Sequence, residues 1–318
     1  LDLISNLLFN QNQMKTINRF LFILFLFFSS SCSKDLTLLN ENTKNATTAA
    51  GETFFSNAQK NLSDEMGSTA YTASGTGVAK LFVQLMTSVT YLEGVTYIKN
   101  FSWDALYANV LKNLDESAKT ISATNPELAA DQLKKKNQLA IIEIMKVYTY
   151  SVLVESYGDI PYSQSLDFNN VLPKYDDDKV IYLDLINRLG AATGSLDPLG
   201  SSFGPADLIY GGDVAKWQKF GNSLKLRMGM RIMDADPAVG ASTVTDAING
   251  GIFTSNSDNA LFKYLPDYPN TNPWWSFLVR QSLRYFVGTK PFVDYMNSFN
   301  DPRRSVYFTA VNGQYLGA

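Results

Sequence analysis

The sequence predicts an all-α protein, mainly helical with long loops and built from tetratricopeptide-like helix pairs. Three observations carry that prediction. Several segments repeat apolar residues at three- and four-residue spacing between recognisable start and stop residues. Strand-like runs are few and short. The stretch from Leu139 to Tyr157 is apolar on every side, as a helix buried at the centre of a fold must be. No strict repeat at the usual tetratricopeptide period accompanies the pairs, so a regular solenoid is not expected.

The elements follow in chain order. Residues 1–13 precede Met14 and read as upstream sequence outside the mature fold. Residues 14–31 read as a secretory leader: Lys15 and Arg19, then the unbroken apolar run Phe20 to Phe28, then Ser29-Ser30-Ser31. That run is far shorter than the roughly 20 residues a membrane span needs. Cys32, the single cysteine of the chain, stands at the cleavage point and reads as the acylated residue of a bacterial lipoprotein, with ordinary cleavage near an unmodified cysteine as the alternative. Ser29 departs from the aliphatic residue usual at the first lipobox position. Lys34-Asp35 resembles a surface-export patch. The Asn- and Thr-rich residues 32–48 read as a flexible tether, and 49–318 as the helical domain.

Within that domain, Ser102 is a candidate cap for a helix with Trp103, Leu106, Tyr107, Val110, Leu111 and Leu114 on one stripe. Asn125-Pro126-Glu127 reads as the opening of a helix running to Tyr157, where Gly158 fits a left-handed terminating residue and Pro161 blocks continuation. A second pair spans Asp178 to Leu196 and Asp213 to Met233, with Trp217, Phe220, Leu224 and Met228 sharing a face. Shorter helices are expected over Thr245 to Asn249 and Pro291 to Phe299, the last stopped by Asn300-Asp301-Pro302. The excursions Ser195–Gly212 and Leu265–Pro273 are the loops on which binding would sit.

Composition excludes several function classes. Lys and Arg total 27 against 30 Asp and Glu, a formal charge of −3, without the concentrated basic face that nucleic acid requires. The absence of histidine removes Ser-His-Asp and Cys-His chemistry and His-ligated metals. One cysteine forbids an intramolecular disulfide and a thiolate zinc site. Neither a metal nor a cofactor is expected. Carboxylate chemistry remains, with Glu155 and Asp159 nominally available for hydrolysis. Lys216, Lys219, Lys225, Arg227 and Arg231 spread around their helix and read as a solvated face rather than an anion site.

The most informative loop for ligand contact is Leu265-Pro-Asp-Tyr-Pro-Asn-Thr-Asn-Pro-Trp-Trp275. Trp274 and Trp275 are adjacent, so one can pack inward while the other offers a platform; the alternative is that both are buried against C-terminal residues. Flat rings suit pyranose C–H faces, and Tyr268, Asn270 and Asn272 lie in the same loop. Trp274, Trp275, Tyr268 and Asn272 are the candidate binding residues.

Three segments carry a resemblance to a known family. These are Tyr148-Thr-Tyr-Ser-Val-Leu-Val-Glu-Ser-Tyr-Gly-Asp-Ile-Pro-Tyr162, the run Gly212 to Arg231, and Phe101 to Leu114. Together with the lipoprotein start they resemble the SusD/RagB-like outer-membrane nutrient-binding lipoproteins, in their second SusD-like branch. The likeness extends from Cys32 to about Phe308. It implies a non-catalytic protein at the cell surface that captures a glycan or similar oligomer and docks onto a SusC-like TonB-dependent barrel. A peptide is the alternative cargo. Family members usually run longer, so the chain is expected to lack C-terminal helices. A surface glycoside hydrolase and a tetratricopeptide-like scaffold that binds only proteins stand as alternatives.

Overall fold

The computed structural model describes residues 49–67, 79–90, 103–282 and 286–318. The leader, Cys32 and the tether up to residue 48 lie outside them, as does Ser102. The first described helix, α1 (Gly51–Gly67), has no counterpart in the sequence reading. Its apolar signal is thin, since only Phe55, Ala58 and Leu62 bury a face, at i, i+3 and i+7. A short helix α2 (Ala79–Phe82) and strand β1 (Met86–Ser88) follow.

The stripe that begins at Trp103 does form a helix, but it starts as a π-turn segment, Leu106–Leu111, before continuing as α3 (Lys112–Ser122). A π segment inserts an extra residue per turn and widens the helix locally. Helix α4 (Ala129–Tyr157) is the long central helix. It opens later than Asn125-Pro126-Glu127 suggests. Those residues form the turn from α3, where Lys135 Nζ donates to the carbonyls of Ser122 (2.8 Å) and Thr124 (2.6 Å). Extended Leu128 then stands at the N-cap without a side-chain bond. At the far end Gly158 has φ +76°, and its N–H bonds to Val154 O at 3.0 Å.

Strands β2 (Ile160–Pro161) and β3 (Tyr175–Asp176) pair antiparallel, Ile160 opposite Asp176. Helix α5 (Asp178–Ser195) is capped by the Asp177 carboxylate, which accepts from Val180 N. Helix α6 (Val214–Ile232) is capped in the same way by Asp213, as its sequence predicts. Helix α7 (Pro237–Asn249) is longer than the segment from Thr245, because Asp236 caps it and Pro237 occupies its first turn. Next come the short helix α8 (Pro273–Trp275), which runs into a π segment at Ser276–Arg280, and strand β4 (Phe286–Gly288). Helices α9 (Lys290–Ser298) and α10 (Arg304–Tyr307) close the chain.

The pairs run antiparallel, and cross-links between them show it. Along α3 and α4, Asp115 meets Lys146 while Ser122 meets Lys135. Along α4 and α5, Glu143 meets Arg188 while Glu155 meets Tyr182. Along α6 and α7, a Cβ on Gly240 would lie 2.9 Å from Met233 Cα, while Asn222 Nδ2 reaches Gly250 O at 2.6 Å. The main core joins α4 residues such as Ile141, Ile144 and Leu153 to Leu111, Leu114, Ile181, Leu185 and Trp217. Phe55 and Phe203 stack at 3.7 Å between ring centres, and Trp217 tilts against Phe55. A smaller cluster of Leu81, Phe277 and Phe286 sits where β1 pairs with β4, Met86 opposite Gly288. Among the described residues, no helix is long and apolar enough to cross a membrane.

The loop from Ser195 to Gly212 is held from beneath. Asn137 donates to Asp197 O (3.0 Å) and Ser201 O (3.1 Å) and accepts from Asp197 N (2.9 Å). Buried Asp207 accepts from Gln59 Nε2 (2.8 Å), Trp217 Nε1 (2.7 Å) and Gly212 N (2.9 Å).

Candidate functional site

The loop from Leu265 to Trp275 closes on itself through Leu265 N to Asn270 O at 2.9 Å. Thr271 Oγ1 and Ser276 Oγ, 2.8 Å apart, tie it to the helix that follows. Asn272 is the N-cap of α8, its side chain accepting from Trp274 N at 2.8 Å, so its carbonyl already has a structural task. Both tryptophans are half-buried. Trp274 packs edge-on against Phe286, with 5.7 Å between ring centres, and belongs to the smaller core cluster. Tyr268 is 60% exposed, with the Arg280 guanidinium 3.9 Å from its ring centre. The structure therefore places Tyr268 over Arg280 at the surface and Trp274 in the underlying cluster.

A second feature, which the sequence reading does not single out, lies between the two short strands β2 and β3. The chain between β2 and β3, residues 162–174, forms a compact loop whose ends are clamped by that strand pair. Ser163 N and Oγ bond Asp176 at 2.7 and 3.0 Å, and Lys174 pairs with it at 2.9 Å. These bonds hold the Asp176 carboxyl down at about 2. Gln164 Oε1 accepts from Asn170 Nδ2 and Lys174 N, both at 3.2 Å, and Leu166 takes a left-handed φ of +66°.

Between this loop and the widened start of α3 lie two adjoining hollows. One, of about 660 Å³, is polar, with Lys112, Asp115, Lys146, Tyr150, Tyr162 and Arg188 in its lining. The other, of about 500 Å³, is apolar, lined by Trp103, Tyr107, Pro161 and Pro173 among others. Lys112, Ser165, Leu166, Asp167 and Phe168 border both.

The charges of the polar hollow are internally matched. Lys119 and Lys146 hold Asp115 at 2.7 and 3.3 Å, and Lys112 holds Glu116 at 2.9 Å. Burial works to raise the Asp115 carboxyl, but the Lys119 and Lys146 bonds outweigh it and hold it below the ordinary carboxylate value. Arg188 pairs with Glu143 at 2.5 Å and donates to the Tyr162 hydroxyl, which in turn donates to Asp184. Burial pushes the Tyr150 and Tyr162 phenols up, so both stay protonated donors at neutral pH. Phe168 is 80% exposed at the rim, with Lys112 Nζ 4.3 Å from its ring centre.

The carboxylates considered for hydrolysis have other partners. Glu155 accepts from the Tyr182 hydroxyl at 3.0 Å and faces Arg231 at 3.6 Å. Asp159 accepts from Asp178 N at 3.0 Å. Asp159, Asp177 and Asp178 form an exposed acidic group, yet Asp159 and Asp177 serve the start of α5. Cations of α6 face protein groups: Lys219 pairs with Asp258 at 2.9 Å, and Arg227 lies over Tyr148 at 5.4 Å.

Residues 41–318 match the SusD-like family model described as starch-binding, associating with outer membrane. Among solved structures, a chitin-binding protein is 28% identical with a TM-score of 0.63, covering 80% of this chain and 53% of its own. A SusD homolog from Bacteroides uniformis is 24% identical with a TM-score of 0.63, over 83% of this chain and 57% of its own. A SusD/RagB family protein from Bacteroides thetaiotaomicron is 23% identical with a TM-score of 0.63, over 81% and 53%. The chain spans about half the length of these structures. Among curated protein sequences, none matches.

Proposed function

The chain belongs to the SusD-like family, and from that premise we propose that it is a non-catalytic outer-membrane lipoprotein that binds a glycan or similar oligomeric nutrient. Acylated Cys32 anchors it to the cell surface, and a SusC-like TonB-dependent barrel receives the cargo. The observation that carries the ligand reading is the Tyr268 ring, held at the surface over Arg280 on the loop that also brings Trp274, Trp275 and Asn272. A ring presented in this way offers its π face to the C–H face of a pyranose, and loop amides meet the hydroxyls. The neighbouring solved structure named as a chitin-binding protein supports a carbohydrate over a peptide.

The commitment of Glu155 and Asp159 to Tyr182, Arg231 and the start of α5 favours binding over hydrolysis. Titrating the purified protein with a panel of soluble glycans tests the reading. Saturable binding is expected without new reducing ends. Tyr268→Ala or Trp275→Ala should weaken it about tenfold, the worth of one stacked ring. Wild-type affinity in both variants and in Trp274→Ala would remove the site from this loop.

A further inference from the structure

We propose that the two hollows beside the 162–174 loop form a second carbohydrate site, one that takes neutral pyranose units of a bound chain across the Phe168 rim. The inference rests on the reading that the protein binds glycans and adds a place where a further stretch of the polymer lies.

Four observations carry it. The volumes, about 660 and 500 Å³, each fall within the range of small-molecule sites. The site is two-sided as a sugar is two-sided. Trp103, Tyr107, Pro161 and Pro173 give an apolar wall for ring C–H groups, while Lys112, Tyr150, Ser165 and Arg188 give polar groups for hydroxyls. Phe168, 80% exposed, stands where the two sides meet, with the Lys112 ammonium 4.3 Å from its ring centre. Finally, the walls are prebuilt. The β2–β3 clamp, the Gln164 bonds and the left-handed Leu166 fix the loop, and the π-turn segment 106–111 shapes the opposite wall.

The same geometry selects against charged cargo. Lys112, Lys119 and Lys146 already hold Glu116 and Asp115, and Arg188 holds Glu143. An anionic ligand must break those pairs, whereas a hydroxyl joins them as donor or acceptor.

Calorimetric titration with maltohexaose, chitohexaose and an acidic hexauronate tests the assignment, using wild type, Phe168→Ala and Phe168→Tyr. The expected result is binding of a neutral hexasaccharide by wild type, about tenfold weaker in Phe168→Ala and unchanged in Phe168→Tyr. The exposed position of Phe168 leaves the fold intact in both variants, which circular dichroism checks. Unaltered affinity in Phe168→Ala overturns the cleft while leaving the glycan reading standing. No binding of either neutral hexasaccharide by wild type overturns both. Tighter binding of the hexauronate than of the neutral chains overturns the neutral-ligand assignment.

Discussion

Single residues carry much of the architecture, and Asp207 shows how. It is 3% exposed and gathers donors from α1, its own loop and α6: Gln59, Ile209 N, Tyr210 N, Gly212 N and the Trp217 indole. A carboxylate in that position replaces lost water with fixed N–H groups, and removing it orphans several buried donors at once. Asp207→Ala should therefore lower unfolding stability by about 3 kcal/mol or more in urea titration. A loss under about 1 kcal/mol would show that the donors find water instead. Asp258 illustrates the same economy at smaller scale. Backbone N–H bonds from Thr254 and Ser255 and the Lys219 ammonium hold its carboxyl at about 2. Because that value lies below the ordinary one, the bond network is intact at neutral pH and is lost as acid drives pH down toward about 2.

Elements meet closely where glycines allow it. A Cβ on Gly221 of α6 would strike Thr193 Cγ2 of α5 and come within 3.2 Å of Ile144 Cδ1 of α4, so this glycine sets how near three helices pack. Gly221→Ala should cost about 1–3 kcal/mol through overpacking, measured as a lowered midpoint of thermal unfolding. An unchanged midpoint would mean that Thr193 turns aside at no cost. Element boundaries also show where sequence signals suffice. Asp213 acts as a cap where helix grammar expects it, and Gly158 ends α4 with a positive φ. Asn125-Pro126 misleads, because a turn between packed helices uses the same residue types as a helix start. Helix α1 escapes sequence detection because its contacts with Ser117, Ala206 and Asp207 are made by side chains whose partners lie far along the chain.

At the scale of the whole molecule, the helical frame carries the Tyr268 loop and the Phe168 cleft, the two surfaces we propose for a glycan. The proposed anchor belongs to this scale as well. Acyl chains contribute about 0.8 kcal/mol per buried CH₂, so lipidation at Cys32 would keep the entire domain on the membrane. Cys32→Ser should shift the protein from the membrane pellet to the soluble fraction and abolish incorporation of labelled palmitate; continued labelling would dismiss the lipoprotein reading.

Local grammar and periodicity sufficed for the helical class, the central α4 and the cap of α6. These depend on residues within a turn or two of one another, so they are written into adjacent positions. Only the folded arrangement decided that Trp274 turns toward Phe286 while Tyr268 rests on Arg280, that the 196–213 loop is tied down by Asn137 and Asp207, and that Phe168 stands beside Lys112. Each of these outcomes joins groups from separate elements or the far ends of a loop. Distance along a chain carries no information about such meetings until the core has brought the helices together.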